Sequence, residues 1–246
     1  MRPIRKILSL LIALALFICM NGCGDTTTKE PFIYVTDVGI VNVDPQFASN
    51  DTELHIVYNA FEGLMKYNKA GTLTCGAAET YKVSRDGKTY TFNLKQNAKW
   101  SDGRPLTAKD FEFAFKRAVC PDTRSPYAKT LSPIKNVSKI LANEKSHYSI
   151  AVIALDPYTL EIKLENKTSG FLELLTTPVA MPCNEEFFES TKGYYGLKKD
   201  CIISNGYYRL SSWNSEYCTL KANEDYEFYN PSGINVAYIY FKKTDN

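Results

Sequence analysis

The sequence predicts an α+β fold, and three observations predict it. Tyr90, Phe92 and Leu94 alternate with Thr91, Asn93 and Lys95, and Leu160, Ile162 and Leu164 alternate in the same way, which is the period of a half-buried strand. Thr107 to Asp110 has the spacing of an acidic capping box, and Phe111, Ala114, Phe115 and Ala118 follow at helical intervals, so a capped helix begins there. Short strands and helices are mixed without the regular βαβ alternation that parallel sheets require.

In chain order, Phe32-Ile-Tyr-Val35 reads as a first strand. Asn50-Asp51 caps a helix with Leu54, Val57, Phe61 and Leu64 on one face and Gly63 at its end. Asp86-Gly87 turns a hairpin into the Tyr90 strand, and Asp102-Gly103 is a second turn before the Thr107 helix, which Pro121 ends. Ile134 to Leu141 is a weaker helix, and Tyr148 to Leu155 and Thr159 to Leu164 flank Asp156-Pro157 as a hairpin. Phe171 to Leu175 and Asn184 to Ser190 are helical in pattern. Tyr207 to Trp213, Glu216 to Ala222 and Val236 to Phe241 are β in type.

The 246 residues, 44% hydrophobic and 23% charged, exclude a disordered or fibrous chain. The formal net charge of +2 falls to −1 without residues 1–22, which hold Arg2, Arg5 and Lys6 and no acid. With no long basic run, a nucleic-acid partner has no support. Those three cations precede an apolar stretch from Ile7 to Met20, shorter than the roughly 20 residues that span a bilayer. Residues 1–22 therefore read as a signal peptide. Gly22-Cys23 then resembles the lipobox of bacterial lipoproteins, which makes Cys23 the lipid-bearing mature N-terminus and residues 23–31 a polar tether. Plain secretion with another cleavage point, or an uncleaved anchor, is the alternative.

Five cysteines remain after Cys19 and Cys23: Cys75, Cys120, Cys183, Cys201 and Cys218. An extracytoplasmic setting permits a Cys183–Cys201 bridge closing a short loop; the rest read as buried free thiols. His55 and His147 are isolated, so no metal site is expected. The chain holds no GxSxG elbow, HExxH motif or Gly-rich phosphate loop, which argues against an enzyme and against a bound cofactor. Glu185-Glu186 reads as a solvated helix start. The 17 Tyr and 13 Phe suit a binding surface or strand packing equally.

The continuous block from Tyr90 to Phe111, with Trp100-Ser-Asp-Gly103 and Thr107-Ala-Lys-Asp110 inside it, resembles the signature of the family 5 extracellular solute-binding proteins, the peptide and nickel receptors of ABC importers. Val43-Asp44-Pro45, Phe61-Glu62-Gly63-Leu64, Gly76 to Glu79, Pro121 to Ala128, Asp156 to Ile162, Asn205 to Tyr208 and Asn223 to Tyr226 agree in order and spacing. The Ser125-Pro-Tyr-Ala128 run resembles the oligopeptide-binding branch, and without a His or Met cluster nickel is the weaker cargo.

This resemblance implies a periplasmic-binding-protein type II-like fold over residues 32–246, with a small domain, an incomplete first lobe, and a second lobe that is missing because the sequence stops near the family's crossing point. It implies a substrate-binding lipoprotein on the extracytoplasmic face of the cell membrane, holding extended oligopeptides noncovalently and delivering them to ABC permease subunits. The ligand-facing positions it carries over are Ser49, Asn50, Asp51 and Tyr127. Asn50 or Asp51 could equally be a helix cap, and Tyr127 a cover over the small domain. A cleft with one wall predicts weak or undetectable peptide binding and exposed strand edges prone to self-association. A membrane-tethered interaction lipoprotein without a transport role is the competing class.

Overall fold

The computed structural model describes residues 29–230 and 232–241. The segment expected to be a signal peptide, Cys23 and most of the expected tether lie outside the described residues.

The elements are β1 (Phe32–Thr36), α1 (Asp51–Ala60), β2 (Met65–Tyr67), β3 (Leu73–Cys75), β4 (Ala78–Val83), β5 (Thr89–Leu94), α2 (Ala108–Val119) and α3 (Val137–Leu141), followed by β6 (Val152–Asp156), β7 (Thr159–Lys163), α4 (Phe171–Leu174), α5 (Glu185–Ser190), β8 (Tyr208–Trp213), β9 (Tyr217–Ala222) and β10 (Val236–Phe241). They build two four-stranded sheets and a β2–β3 ribbon.

The first sheet runs β4-β5-β7-β6 and is antiparallel throughout, with Phe92 opposite Leu160 and Tyr90 opposite Ile162. The alternation in β5 and β7 therefore places both apolar rows on one face. That face is covered by α2, whose Phe111, Ala114, Phe115 and Ala118 are all fully buried. The second sheet runs β1-β10-β9-β8, and β1 pairs parallel with β10 across some 200 residues of chain. The first sheet anchors the main core, and a smaller cluster of Val43, Ile56, Cys218, Leu220, Ala237 and Ile239 sits under the second.

Several predicted elements shift. α1 ends at Ala60, so Phe61 and Leu64 are buried but lie beyond it, and Leu54 is half-buried. Its buried face is Thr52, Glu53, Ile56, Val57 and Ala60, because Glu53 turns inward for hydrogen bonding. α3 begins at Val137 because Asn136 adopts a left-handed φ of 74° that a continuing helix does not allow. The strand expected from Tyr148 starts at Val152, since His147–Ser149 turns as a short 3₁₀ helix with the Ser146 hydroxyl accepting from the Tyr148 N–H. Strands β2 and β3 have no counterpart in the sequence pattern, and β4 is the first arm of the hairpin that Asp86-Gly87 implies. All five cysteines among the described residues are free, so Cys183 and Cys201 are not bridged.

Candidate functional site

The four predicted ligand-facing residues come together because the loop before α1 is pinned from several sides. Asp44 accepts the Gln46 N–H at Oδ1 (3.0 Å), and its carbonyl accepts the Phe47 and Ala48 N–H groups (both 2.9 Å), so the chain turns tightly at Val43-Asp44-Pro45. Arg117, on α2, donates from Nη1 to Asp44 Oδ1 (3.2 Å) and from Nη2 to Oδ2. Its guanidinium lies 4.4 Å from the Phe188 ring centre and 5.3 Å from that of Tyr195. Burial works against its charge, but the adjoining Asp44 outweighs that and raises its pKa, so Arg117 stays a cation.

The next residues are held as firmly. The Gln46 amide donates to the Ala114 carbonyl (2.6 Å), and the Ser125 hydroxyl donates to the Gln46 carbonyl (2.9 Å). The Tyr127 hydroxyl donates to the Ala48 carbonyl (3.0 Å). That bond sets the half-buried Tyr127 ring beside the residue preceding Ser49, so the ring both packs on the main core and stands next to the loop.

Glu53 closes the loop from the helix side. Its Oε1 accepts the Val41 (2.8 Å) and Asn42 (2.9 Å) N–H groups, and its Oε2 accepts those of Ser49 (2.9 Å) and Asn50 (3.4 Å). Burial opposes its charge, yet the four backbone donors prevail and hold its carboxyl below the ordinary value of 4.5. Asn50 completes a capping box by accepting the Glu53 N–H (2.9 Å). Asn50 is therefore the N-cap, while Ser49 and Asp51 are exposed, the Ser49 hydroxyl donating to Glu53 Oε2 (3.5 Å). Among the described residues, Asp51 makes no ion pair. The Ser49 hydroxyl at the end of this pinned loop and the Asp51 carboxylate at the start of α1 can hydrogen-bond a polar backbone, with the Tyr127 ring beside them, and among the described residues no cluster of His, Cys, Asp and Glu could hold a metal.

The block from Tyr90 to Phe111 plays a different part. Trp100, fully buried, donates from its indole nitrogen to Asp110 Oδ2 (3.3 Å). The same oxygen accepts the Thr107 N–H (2.7 Å) and hydroxyl (3.1 Å), and Asp110 Oδ1 accepts the Asn184 amide (2.8 Å). Burial pushes the Asp110 carboxyl above its ordinary value against the pull of those four donors. Gly103, at φ 87°, donates its N–H to the Trp100 carbonyl and makes the tight turn that returns the chain to the helix. This block is a scaffold that fixes α2, and through Arg117 it fixes Asp44.

The resemblance proposes Ser49, Asn50, Asp51 and Tyr127 as ligand-facing, and it carries no mention of Arg117, Gln46 or Glu53, which hold the loop beside them. Glu53 carried a signal, because Asn50-x-x-Glu53 is a capping-box spacing. Arg117 carried none, since its partner lies 73 residues away.

The model of the family described as bacterial extracellular solute-binding proteins, family 5 (middle), matches residues 72–246. The chain is 36% identical over 186 residues to the oligopeptide-binding protein OppA of Bacillus subtilis, covering 75% of this chain and 34% of that protein. It is 28% identical over 246 residues to the dipeptide-binding protein of Lactococcus lactis, covering 98% of this chain and 45% of that one. Among solved structures, Listeria monocytogenes OppA bound to peptide superposes with a TM-score of 0.83 at 28% identity, over 87% of this chain and 43% of that one. The substrate-binding domain of an oligopeptide ABC transporter from Bacillus anthracis also gives 0.83, at 32% identity, over 88% of this chain and 42% of that one. The chain thus spans less than half the length of these relatives. Its matched span, its fold and its signature block agree: the chain belongs to the family 5 bacterial extracellular solute-binding proteins.

Proposed function

We propose that this chain is a substrate-binding lipoprotein of an ABC peptide importer and binds extended oligopeptides without making or breaking a covalent bond. The supporting observation is the rigid loop presenting Ser49 and Asp51 beside Tyr127, set in a fold that superposes on a peptide-bound relative at a TM-score of 0.83. Main-chain hydrogen bonds to the peptide supply affinity in this reading, with Ser49, Asn50 and Asp51 meeting its polar backbone and Tyr127 lining the cleft. Residues 1–22 are the signal peptide, Cys23 carries the lipid, residues 23–31 are the tether, and residues 32–246 belong to the solute-binding domain. A diacylated cysteine with a further acyl chain holds the protein stably at the extracytoplasmic face of the membrane. The partners are the membrane permease subunits, and no cofactor takes part.

Photo-crosslinking tests the reading at any affinity. A tetrapeptide carrying benzoylphenylalanine is expected to label residues 46–53 and 125–130 of the 24–246 polypeptide, mapped by mass spectrometry, and unlabelled peptide is expected to compete. Labelling confined to other segments, or labelling without competition, contradicts it.

A further inference from the structure

The two cores do not close completely where they meet. A cavity of about 210 Å³ lies between them, and its walls join Ala60, Phe61 and Ile203 of the main core to Val43 and Ile56 of the smaller cluster. An apolar cavity of about 150 Å³ stays dry and takes up benzene, so this one has room for an aromatic ring with a short substituent.

The mouth of the cavity is charged. Asp102, Lys199, Asp200 and Arg209 line it. Lys199 Nζ lies 2.6 Å from Asp200 Oδ1, and Asp102 Oδ2 lies 3.1 Å from Arg104 Nε, so both acids already have cations. Arg209 is exposed, and its side chain has no ion pair or hydrogen bond among the described residues. Of the two cations lining the cavity, Lys199 is already held by Asp200 while Arg209, on the edge strand β8, is paired with no acid.

We propose that this seam cavity binds a small aromatic carboxylate, its ring among Ala60, Phe61 and Ile203 and its carboxylate at Arg209. The site is separate from the loop of Ser49 to Asp51 and stands independently of the peptide-binding reading.

Titration of the 24–246 polypeptide, followed by calorimetry and thermal unfolding, tests this with phenylacetate, benzyl alcohol and benzylamine as probes. Phenylacetate is expected to bind saturably, about fivefold more tightly than benzyl alcohol, and benzylamine more weakly than either. Arg209→Gln is expected to lower phenylacetate to the level of benzyl alcohol while leaving benzyl alcohol unchanged. Leu210→Trp and, as a second filler, Ile202→Phe are expected to abolish binding of all three in variants whose unfolding remains cooperative. Absence of saturable binding, equal affinity for the acid and the alcohol, or binding that survives both fillers overturns the proposal.

Discussion

Arg117 and Asp44, 73 residues apart in sequence, form a two-pronged and buried ion pair that joins α2 to the loop preceding α1. Removing one partner strands a charge away from water, which costs about 3–5 kcal/mol, whereas removing both is often nearly neutral. Arg117→Met is expected to lower the urea-unfolding free energy by about that much, and adding Asp44→Asn to restore part of it. Equal losses in the single and double variants would show that the pair does not act as a unit.

Glu53 makes the loop sensitive to acid. Its folded-state pKa is below its ordinary value of 4.5, so its contribution is fully present above pH 4.5 and is lost as pH falls through the folded-state value. Glu53→Gln is expected to cost about 2 kcal/mol near neutral pH. The gap from the parent protein should close as unfolding is measured at progressively lower pH below 4.5. A gap that stays constant over that range would assign the loss to packing.

Trp100 and Asp110 make the signature block a structural lock. Asp110→Ala leaves the Trp100, Thr107 and Asn184 donors without their acceptor, at a cost of at least about 2 kcal/mol. Thermal unfolding of the 24–246 polypeptide is expected to fall by about 4–8 °C or more. An unchanged midpoint would remove the block from the scaffold.

Gly196 lies against the Asp44 turn at φ 72°, and a Cβ there would stand 2.4 Å from the Asp44 nitrogen. Gly196→Ala therefore strains its own backbone and pushes the turn away, at about 2 kcal/mol. It is expected to lower the unfolding midpoint and to reduce peptide crosslinking at residues 46–53 together. Retained stability and crosslinking would mean the turn yields without consequence.

The thiols report on the absent bridge. Burial pushes Cys183 and Cys218 up to about 12, while Cys75, Cys120 and Cys201 are half-buried. An aromatic disulfide reagent is expected to titrate five thiols in denaturant and to leave Cys183 and Cys218 unreacted in the native protein. Three thiols in denaturant would point to a bridge.

Much of the first sheet was legible because each of its core strands, β5 and β7, faces solvent on one side and so alternates cleanly. The Thr107 helix was legible because its cap and its buried stripe agree. Strands β2 and β3 have three residues each, too few for a period to register, and β4 alternates weakly with Thr80 and Lys82 exposed. The face of α1 was misjudged because a buried carboxylate, Glu53, takes a position that hydrophobic spacing assigns to solvent. The parallel pairing of β1 with β10 and the Arg117–Asp44 contact join distant parts of the chain, and no local pattern encodes them. At the candidate site, Ser49, Asn50, Asp51 and Tyr127 were proposed from the resemblance alone, while Arg117, Gln46 and Glu53, which hold that loop in place, emerge only from the fold.

In the proposed function, Ser49 to Asp51 and Tyr127 form a noncovalent contact surface for peptide. Backbone amide shifts of the 24–246 polypeptide, followed by NMR while a tripeptide is added to millimolar concentration, test it most directly. Concentration-dependent shifts are expected to cluster at residues 46–53 and around Tyr127, with the tripeptide recovered intact and an affinity weaker than micromolar. Shifts confined to other parts of the chain, or cleavage of the tripeptide, would contradict it.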